Sequence, residues 1–79
     1  MADHDAIKTL DYQGLKCPMP IVKTSMEVPK IQVGQVVEVL STDPGALNDF
    51  PAWAKTTGNE IVETRQEGTL IRIFVRRKK

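Results

Sequence analysis

Seventy-nine residues, 41% apolar and 27% charged with a net charge of +1, describe one small globular domain rather than a disordered chain, with a core too thin to enclose a cofactor. No stretch approaches the ~18 apolar residues of a membrane helix, and residues 1–6 lack the apolar run of a secretion signal, so a cytosolic protein is expected. One cysteine, Cys17, and one histidine, His4, exclude an internal disulfide, a Cys/His metal cluster and a Ser-His-Asp or Cys-His catalytic set, unless His4 is recruited from a frayed terminus.

In chain order, Ala6 to Tyr12 reads as a short strand through Ile7, Leu10 and Tyr12. Gly14-Leu15-Lys16 forms a loop, with Gly14 allowing close approach. The run Cys17-Pro18-Met19-Pro20 then marks a helix start at Pro18, because proline is tolerated where the first-turn N–H would be an orphan. Cys17 falls at the N-cap. The helix stops by Val28, ahead of Pro29. Ile21, Val22 and Met26 make its buried stripe; Lys23, Thr24 and Glu27 point outward, Lys23 and Glu27 as an i,i+4 pair.

Val36 to Leu40 is a nearly continuous β-branched run suited to an interior strand, parallel to the first by a right-handed crossover. Asp43-Pro44-Gly45 is a turn. The second helix takes Asp49 as N-cap and Pro51 in its first turn, carries Phe50, Trp53 and Ala54, and ends at Gly58 in the left-handed conformation. Strands over Glu60–Gln66 and Thr69–Arg76 join through Glu67-Gly68. In the last strand Ile71, Ile73 and Val75 share one face, and Leu70, Arg72, Phe74 and Arg76 the other. A sheet covered on one side only is implied. The expected fold is α+β: a two-layer β-α-β-α-β-β sandwich, a mixed four-stranded sheet with two helices on one face. It fills residues 1–79 as one domain, with flexible ends at 1–5 and 77–79.

If the chain does chemistry, Cys17 does it. A thiolate is a good nucleophile and a thiol a poor one, and free cysteine (pKa ~8.5) is only a few per cent ionised at neutral pH. A helix start carries about half a positive charge and unpaired N–H groups, so a sulfur there has its pKa lowered, within a range of ~3.5–7.5. Pro18 and Pro20 stiffen the turn; Lys16 and Lys23 add positive potential. With no acid, base or second thiol beside it, the reaction open to Cys17 is attack on sulfur followed by release to a partner's thiolate. The competing reading is a buried structural thiol, which a loop position between Lys and Pro does not favour. Met19 is either a docking contact or a packed side chain, and Lys23 is a second candidate for partner docking. Phe50 and Trp53 read as core or rim, Asp43 and Asp49 as turn and cap.

The stretch Leu10-Asp11-Tyr12-Gln13-Gly14-Leu15-Lys16-Cys17-Pro18-Met19-Pro20 resembles the signature of the TusA (SirA-like) sulfur-carrier family: Leu-Asp, Gly-Leu, then Cys-Pro-x-Pro. Gly34, Asp43-Pro44, Asp49 and Gly58 extend the likeness over residues 8–76. The resemblance implies the same sandwich, similar to the C-terminal domain of bacterial translation initiation factor three. It implies a sulfur mediator whose cysteine, matching Cys17, takes persulfide sulfur from a cysteine desulfurase or rhodanese-like donor. A DsrE-type acceptor, such as a TusBCD- or DsrEFH-like complex, would receive it, in tRNA thiolation or other sulfur metabolism. No cofactor beyond the covalent sulfur on Cys17, no metal and no independent turnover are implied. Some members carry a second cysteine in the second helix; here that region reads Ala52-Trp53-Ala54-Lys55.

Arg76-Arg77-Lys78-Lys79 close the chain, and without them seven basic residues face ten acidic ones, a net −3. These charges solubilise an end and blunt an edge strand. The alternative is an RNA-binding module that uses this tail and a patch of Arg72, Phe74 and Arg76, against which the acidic body argues.

Overall fold

In the computed structural model, residues 3–16 and 18–79 are described. The chain runs β1 (Ala6–Asp11), α1 (Met19–Glu27), β2 (Val36–Ser41), α2 (Ala46–Thr57), β3 (Glu60–Glu67) and β4 (Leu70–Arg76), with single 3₁₀ turns at Asp3–Asp5 and Val28–Lys30. The sheet order is β1-β2-β4-β3, with β1 parallel to β2 and the other pairs antiparallel. This is the expected mixed sheet. The β-branched run of β2 is interior and buries Val36, Val37 and Val39. Its neighbour β4 buries Ile71, Ile73 and Val75, and Phe50 of α2 meets the same core with no exposure. Both edge strands carry a register irregularity, between Ala6 and Lys8 in β1 and between Ile61 and Glu63 in β3. Such bulges discourage edge-to-edge pairing.

Several local expectations are corrected. Pro18, with φ −97° and ψ 13°, is the N-cap of α1, so the helix starts one residue later than Cys17 at the cap would require. Helix α2 starts at Ala46, not after Asp49. The N–H of Ala46 donates to Asp43 O (3.0 Å), and those of Asn48 and Asp49 donate to Gly45 O (3.1 and 2.9 Å), so the Asp43-Pro44-Gly45 turn rolls directly into the helix. Pro51 therefore sits inside α2, on its exposed side, and Asp49 occupies the first turn, where a carboxylate suits the helix dipole. The hairpin turn is Gly68-Thr69, with Glu67 opposite Leu70. Gly68 supplies the positive φ (65°) that a II′ turn asks of its first central residue. Gly58 ends α2 with φ 77°, as expected, its N–H on Ala54 O.

The largest correction is the rotation of α1 about its axis. Pro20, Thr24 and, just past the helix end, Val28 are buried, while Val22 and Met26 are exposed. Contacts of two side chains set this rotation. Ser25 Oγ accepts from Trp53 Nε1 on α2 (2.6 Å), and Glu27 accepts from Lys8 on β1 (2.9 Å) and from Lys30 (3.0 Å). Glu27 is thus paired away from Lys23, and those two donors hold its carboxyl below the usual carboxylate range. Stability from a depressed carboxylate is present above its unfolded pKa and is lost as the pH falls through the acid range.

Thr24 Oγ1 is buried without a hydrogen-bond partner. A buried hydroxyl left unpaired costs on the order of 1–3 kcal/mol, whereas an apolar group of the same shape does not. Thr24→Val is therefore expected to raise stability by about 1 kcal/mol, or roughly 4–8 °C in Tm. Thermal unfolding followed by circular dichroism checks this, and a lower Tm would show that the hydroxyl is used.

The sheet face turned away from the helices is a lattice of paired charges. Arg72 bonds Glu38 (2.8 Å) and Glu67 (2.9 Å), Arg76 bonds Glu60 (3.1 Å) and Arg65 bonds Glu63 (2.6 Å). Phe74 lies on this face yet is fully buried: the His4 ring is 4.8 Å away, the Arg65 guanidinium 5.3 Å above it, and His4 also contacts Glu63. Arg77 and Lys78 are hydrogen-bonded to the body. Gly34 N–H donates to Arg77 O, Arg77 N–H to Gln35 O, the Arg77 guanidinium to Pro29 and Ile31 carbonyls, and Lys78 N–H to Asn59 Oδ1.

Candidate functional site

Parallel pairing brings the C-terminal ends of β1 and β2 side by side, and the loops leaving them meet at the start of α1. The β1 loop is pinned at several points. Gln13 N–H donates to Asp11 Oδ1 (3.1 Å), Leu15 N–H to Tyr12 O (3.1 Å), Tyr12 N–H to Leu40 O (2.9 Å) and Gly14 N–H to Thr42 Oγ1 (2.9 Å). Gly14 has φ +83°, and a Cβ there would meet nothing within 4 Å. Its role is the left-handed turn rather than the close approach expected of it. Lys16 is exposed, and its carbonyl accepts from Met19 N–H (2.9 Å). Cys17, with its expected N-cap position, lies outside the described residues.

The N–H groups at this helix start are fewer than a helix usually offers. Pro18 and Pro20 have none, and Met19 donates its own to Lys16. What the start of α1 offers an anion is chiefly its dipole and the nearby lysines.

Two surface clefts flank this point. One, about 400 Å³, is lined by Gly14, Leu15, Lys16, Thr42, Asp43 and Pro44. The other is narrow and nearly all apolar, between Pro20, Ile21, Ala46 and Phe50 with Asp43 and Asp49 at its rim. Asp43 borders both. Its Oδ1 accepts from Gly45 N–H (3.0 Å), the turn role expected of it, and the Asp49 carboxylate faces the same glycine. Sequence reasoning missed Thr42 as the anchor of the cysteine loop; a hydroxyl directly after an interior strand was the available signal.

Of the residues singled out in the sequence, Gly14, Lys16, Pro18, Met19 and Pro20 converge here. Lys23 is one turn along α1, exposed beside Met19. Pro20 is buried and anchors the first turn; Met19 is exposed rather than packed into the core. Tyr12 packs against the core below, and burial, then the Glu27 charge, pushes its hydroxyl pKa up. Trp53 lies at the rim between the helices, its ring centroid 6.0 Å from that of Phe50. The Arg72, Phe74 and Arg76 patch offers no stacking platform for RNA, since Phe74 is buried and both arginines are paired with glutamates. Among the described residues no three His, Cys, Asp or Glu side chains come together as a metal site. Among the described residues no helix is long and apolar enough to cross a membrane.

The family model described as Sulfurtransferase TusA matches residues 8–77, from within β1 to just past the end of β4. This chain belongs to the TusA family. It is 42% identical over 77 residues to the sulfur carrier protein TusA of Allochromatium vinosum, covering 98% of this chain and 99% of that protein. YrkF of Bacillus subtilis, described as a candidate sulfur carrier, is 47% identical over 68 residues. The match there takes in 86% of this chain but only 37% of YrkF, so this chain corresponds to about a third of that relative. The crystal structure of a SirA-like protein from Desulfitobacterium hafniense superposes with a TM-score of 0.79 over 92% of this chain and all of that one, at 20% identity. That likeness carries the fold: the β-α-β-α-β-β sandwich is the SirA-like one. Membership of the TusA family, with relatives named as sulfur carriers, supports a sulfur-carrier role for this chain.

Proposed function

We propose that this chain relays sulfane sulfur as a persulfide on Cys17. The donor is a cysteine desulfurase or rhodanese-like protein, and the acceptor a DsrE-type protein serving tRNA thiolation or other sulfur metabolism. The observation that carries this reading is that the loop Gly14-Leu15-Lys16, tied to Thr42 beyond β2, leads directly to Pro18-Met19-Pro20 at the start of α1. The dipole of α1 and Lys16 favour the thiolate.

The step needs no further group. The Cys17 thiolate attacks the terminal sulfur of the donor persulfide; the bond from that sulfur to the donor cysteine breaks, a bond to Cys17 forms, and the donor leaves as a thiolate. The proton stays on the transferred sulfur, and nothing is oxidised or reduced overall. The same exchange in reverse order delivers the sulfur onward. With one thiol per chain, each transfer is stoichiometric and turnover belongs to the partners.

Incubation with a cysteine desulfurase and cysteine, followed by intact-mass measurement, tests this. The chain is expected to gain about 32 Da, one sulfur, on the peptide containing Cys17. Iodoacetamide alkylation should show a midpoint below the ~8.5 of free cysteine. A chain that takes no sulfur from desulfurase or rhodanese donors would refute the proposal.

A further inference from the structure

Helix α1 is apolar on two sides, and only one of them is used by the fold. Pro20, Thr24 and Val28 face inward, with a threonine at the centre of the packed side. Met19, Val22 and Met26, at i, i+3 and i+7, fall within an arc of about 60° on nearly the opposite side of the helix. They are 42%, 43% and 63% exposed. A helix that is apolar all round is ordinarily buried all round. Here the contacts of Ser25 with α2 and of Glu27 with β1 fix the rotation, so the outward stripe is built into the fold rather than left over from loose packing.

We propose that this stripe is the surface on which sulfur-exchanging partner proteins dock, and that the partner presents an apolar hollow rimmed by carboxylates. The inference rests on the persulfide reading above and adds the partner's chemistry to it. Cys17 stands two residues before Met19, so a partner that reaches the sulfur meets the stripe at once. The charges around it are cationic. Lys23 is exposed on the same side, and Glu27, the one acidic residue of α1, has both carboxylate oxygens taken by Lys8 and Lys30. Tyr12, Lys23, Met26 and Glu27 line a shallow depression on the β1 side of the stripe, about 280 Å³, that an apolar side chain can fill.

Carboxylates around an apolar centre complement this face, speed encounter and reject wrong partners. A second copy of the chain does not complement it, because pairing the face with itself sets lysines against lysines. Three apolar side chains suit a contact at the small, transient end of interface sizes, below about 1,200 Å² in total, as a carrier that must release its partner requires. Two of the three are methionines, whose flexible thioethers repack against different surfaces. One face can then serve donor and acceptor in turn.

The test is single-turnover transfer from a purified cysteine desulfurase charged with ³⁵S-cysteine to the full chain. Val22→Asp combined with Met26→Asp should lower the second-order transfer rate at least about tenfold, the equivalent of 1.4 kcal/mol. Lys23→Glu should lower it and flatten its dependence on salt. Lys55→Glu, on the exposed side of α2, should change nothing. Throughout, the thermal midpoint and the far-ultraviolet circular dichroism spectrum should stay at wild-type values, which a misfolded variant would not show. Wild-type transfer retained in the Val22 and Met26 double variant would overturn the docking surface and leave the relay standing; a wild type that takes no sulfur would overturn both. Light scattering that shows a dimer abolished by the double variant would assign the stripe to a second copy instead. Binding to phosphatidylserine vesicles abolished by it would assign the stripe to a lipid surface. Either result overturns the proposal.

Discussion

Cys17→Ser is expected to end sulfur transfer completely while leaving the fold intact. The chain has no second thiol to take over, and a serine hydroxyl is a poor nucleophile without a base beside it. The helix dipole that favours a thiolate does not bring an aliphatic alcohol near ionisation at neutral pH. Structurally the exchange is mild, because the loop is held by its neighbours: Thr42 on Gly14, Asp11 on Gln13, and Lys16 on Met19. Transfer of ³⁵S from a charged desulfurase should fall to background, with a Tm within a few degrees of wild type. Residual transfer above background would place the reacting atom elsewhere.

Phe50→Ala is expected to have the largest effect on stability. Phe50 is fully buried, joins α2 to the sheet core and meets Trp53 edge-on. Truncating a buried phenylalanine costs about 3–5 kcal/mol, part lost transfer and part residual cavity. A 79-residue domain has on the order of 4–12 kcal/mol in total, from roughly 0.05–0.15 kcal/mol per residue. The variant should melt at least ~12 °C lower, and thermal unfolding measures it directly. A drop of only a few degrees would mean that α2 is not held by this side chain.

The strand pattern was legible because it rests on local chemistry. The β-branched run of β2 suits the sheet interior, and the Pro18-Met19-Pro20 run marks a helix start to within one residue. Gly58 was legible for the same reason, since a left-handed residue after a helix selects glycine. The boundaries that moved did so where two local signals competed. Pro51 argued for a late start to α2, but the Asp43-Pro44-Gly45 turn had already begun the helix, and an exposed proline was tolerated within it. In the hairpin, Gly68 was identified correctly as a turn residue, but which neighbour joined it depended on the pairing of Glu67 with Leu70 across the sheet.

The face of α1 was not legible, and the reason is physical. Spacing reveals which residues share a side of a helix; it does not say which of two apolar sides faces the core. That choice was made by partners distant in sequence, Trp53 for Ser25 and Lys8 for Glu27. The placement of Thr24 inside and Met26 outside runs against hydrophobicity and is paid for in the unpartnered hydroxyl. Natural sequences break such local rules mainly at functional sites. Phe74 is a second case: alternation put it on the open face of the sheet, and His4 and Arg65 then covered it.

The decisive measurement follows one sulfur atom through the chain. A desulfurase charged with ³⁴S-cysteine loads the protein, the donor is removed, and a DsrE-type acceptor is added while peptide masses of both proteins are recorded over time. The heavy sulfur should appear on the Cys17 peptide first, then leave it and appear on a cysteine of the acceptor, one for one. A heavy atom that reaches the acceptor without passing through Cys17, or that loads Cys17 and never leaves, would contradict a relay.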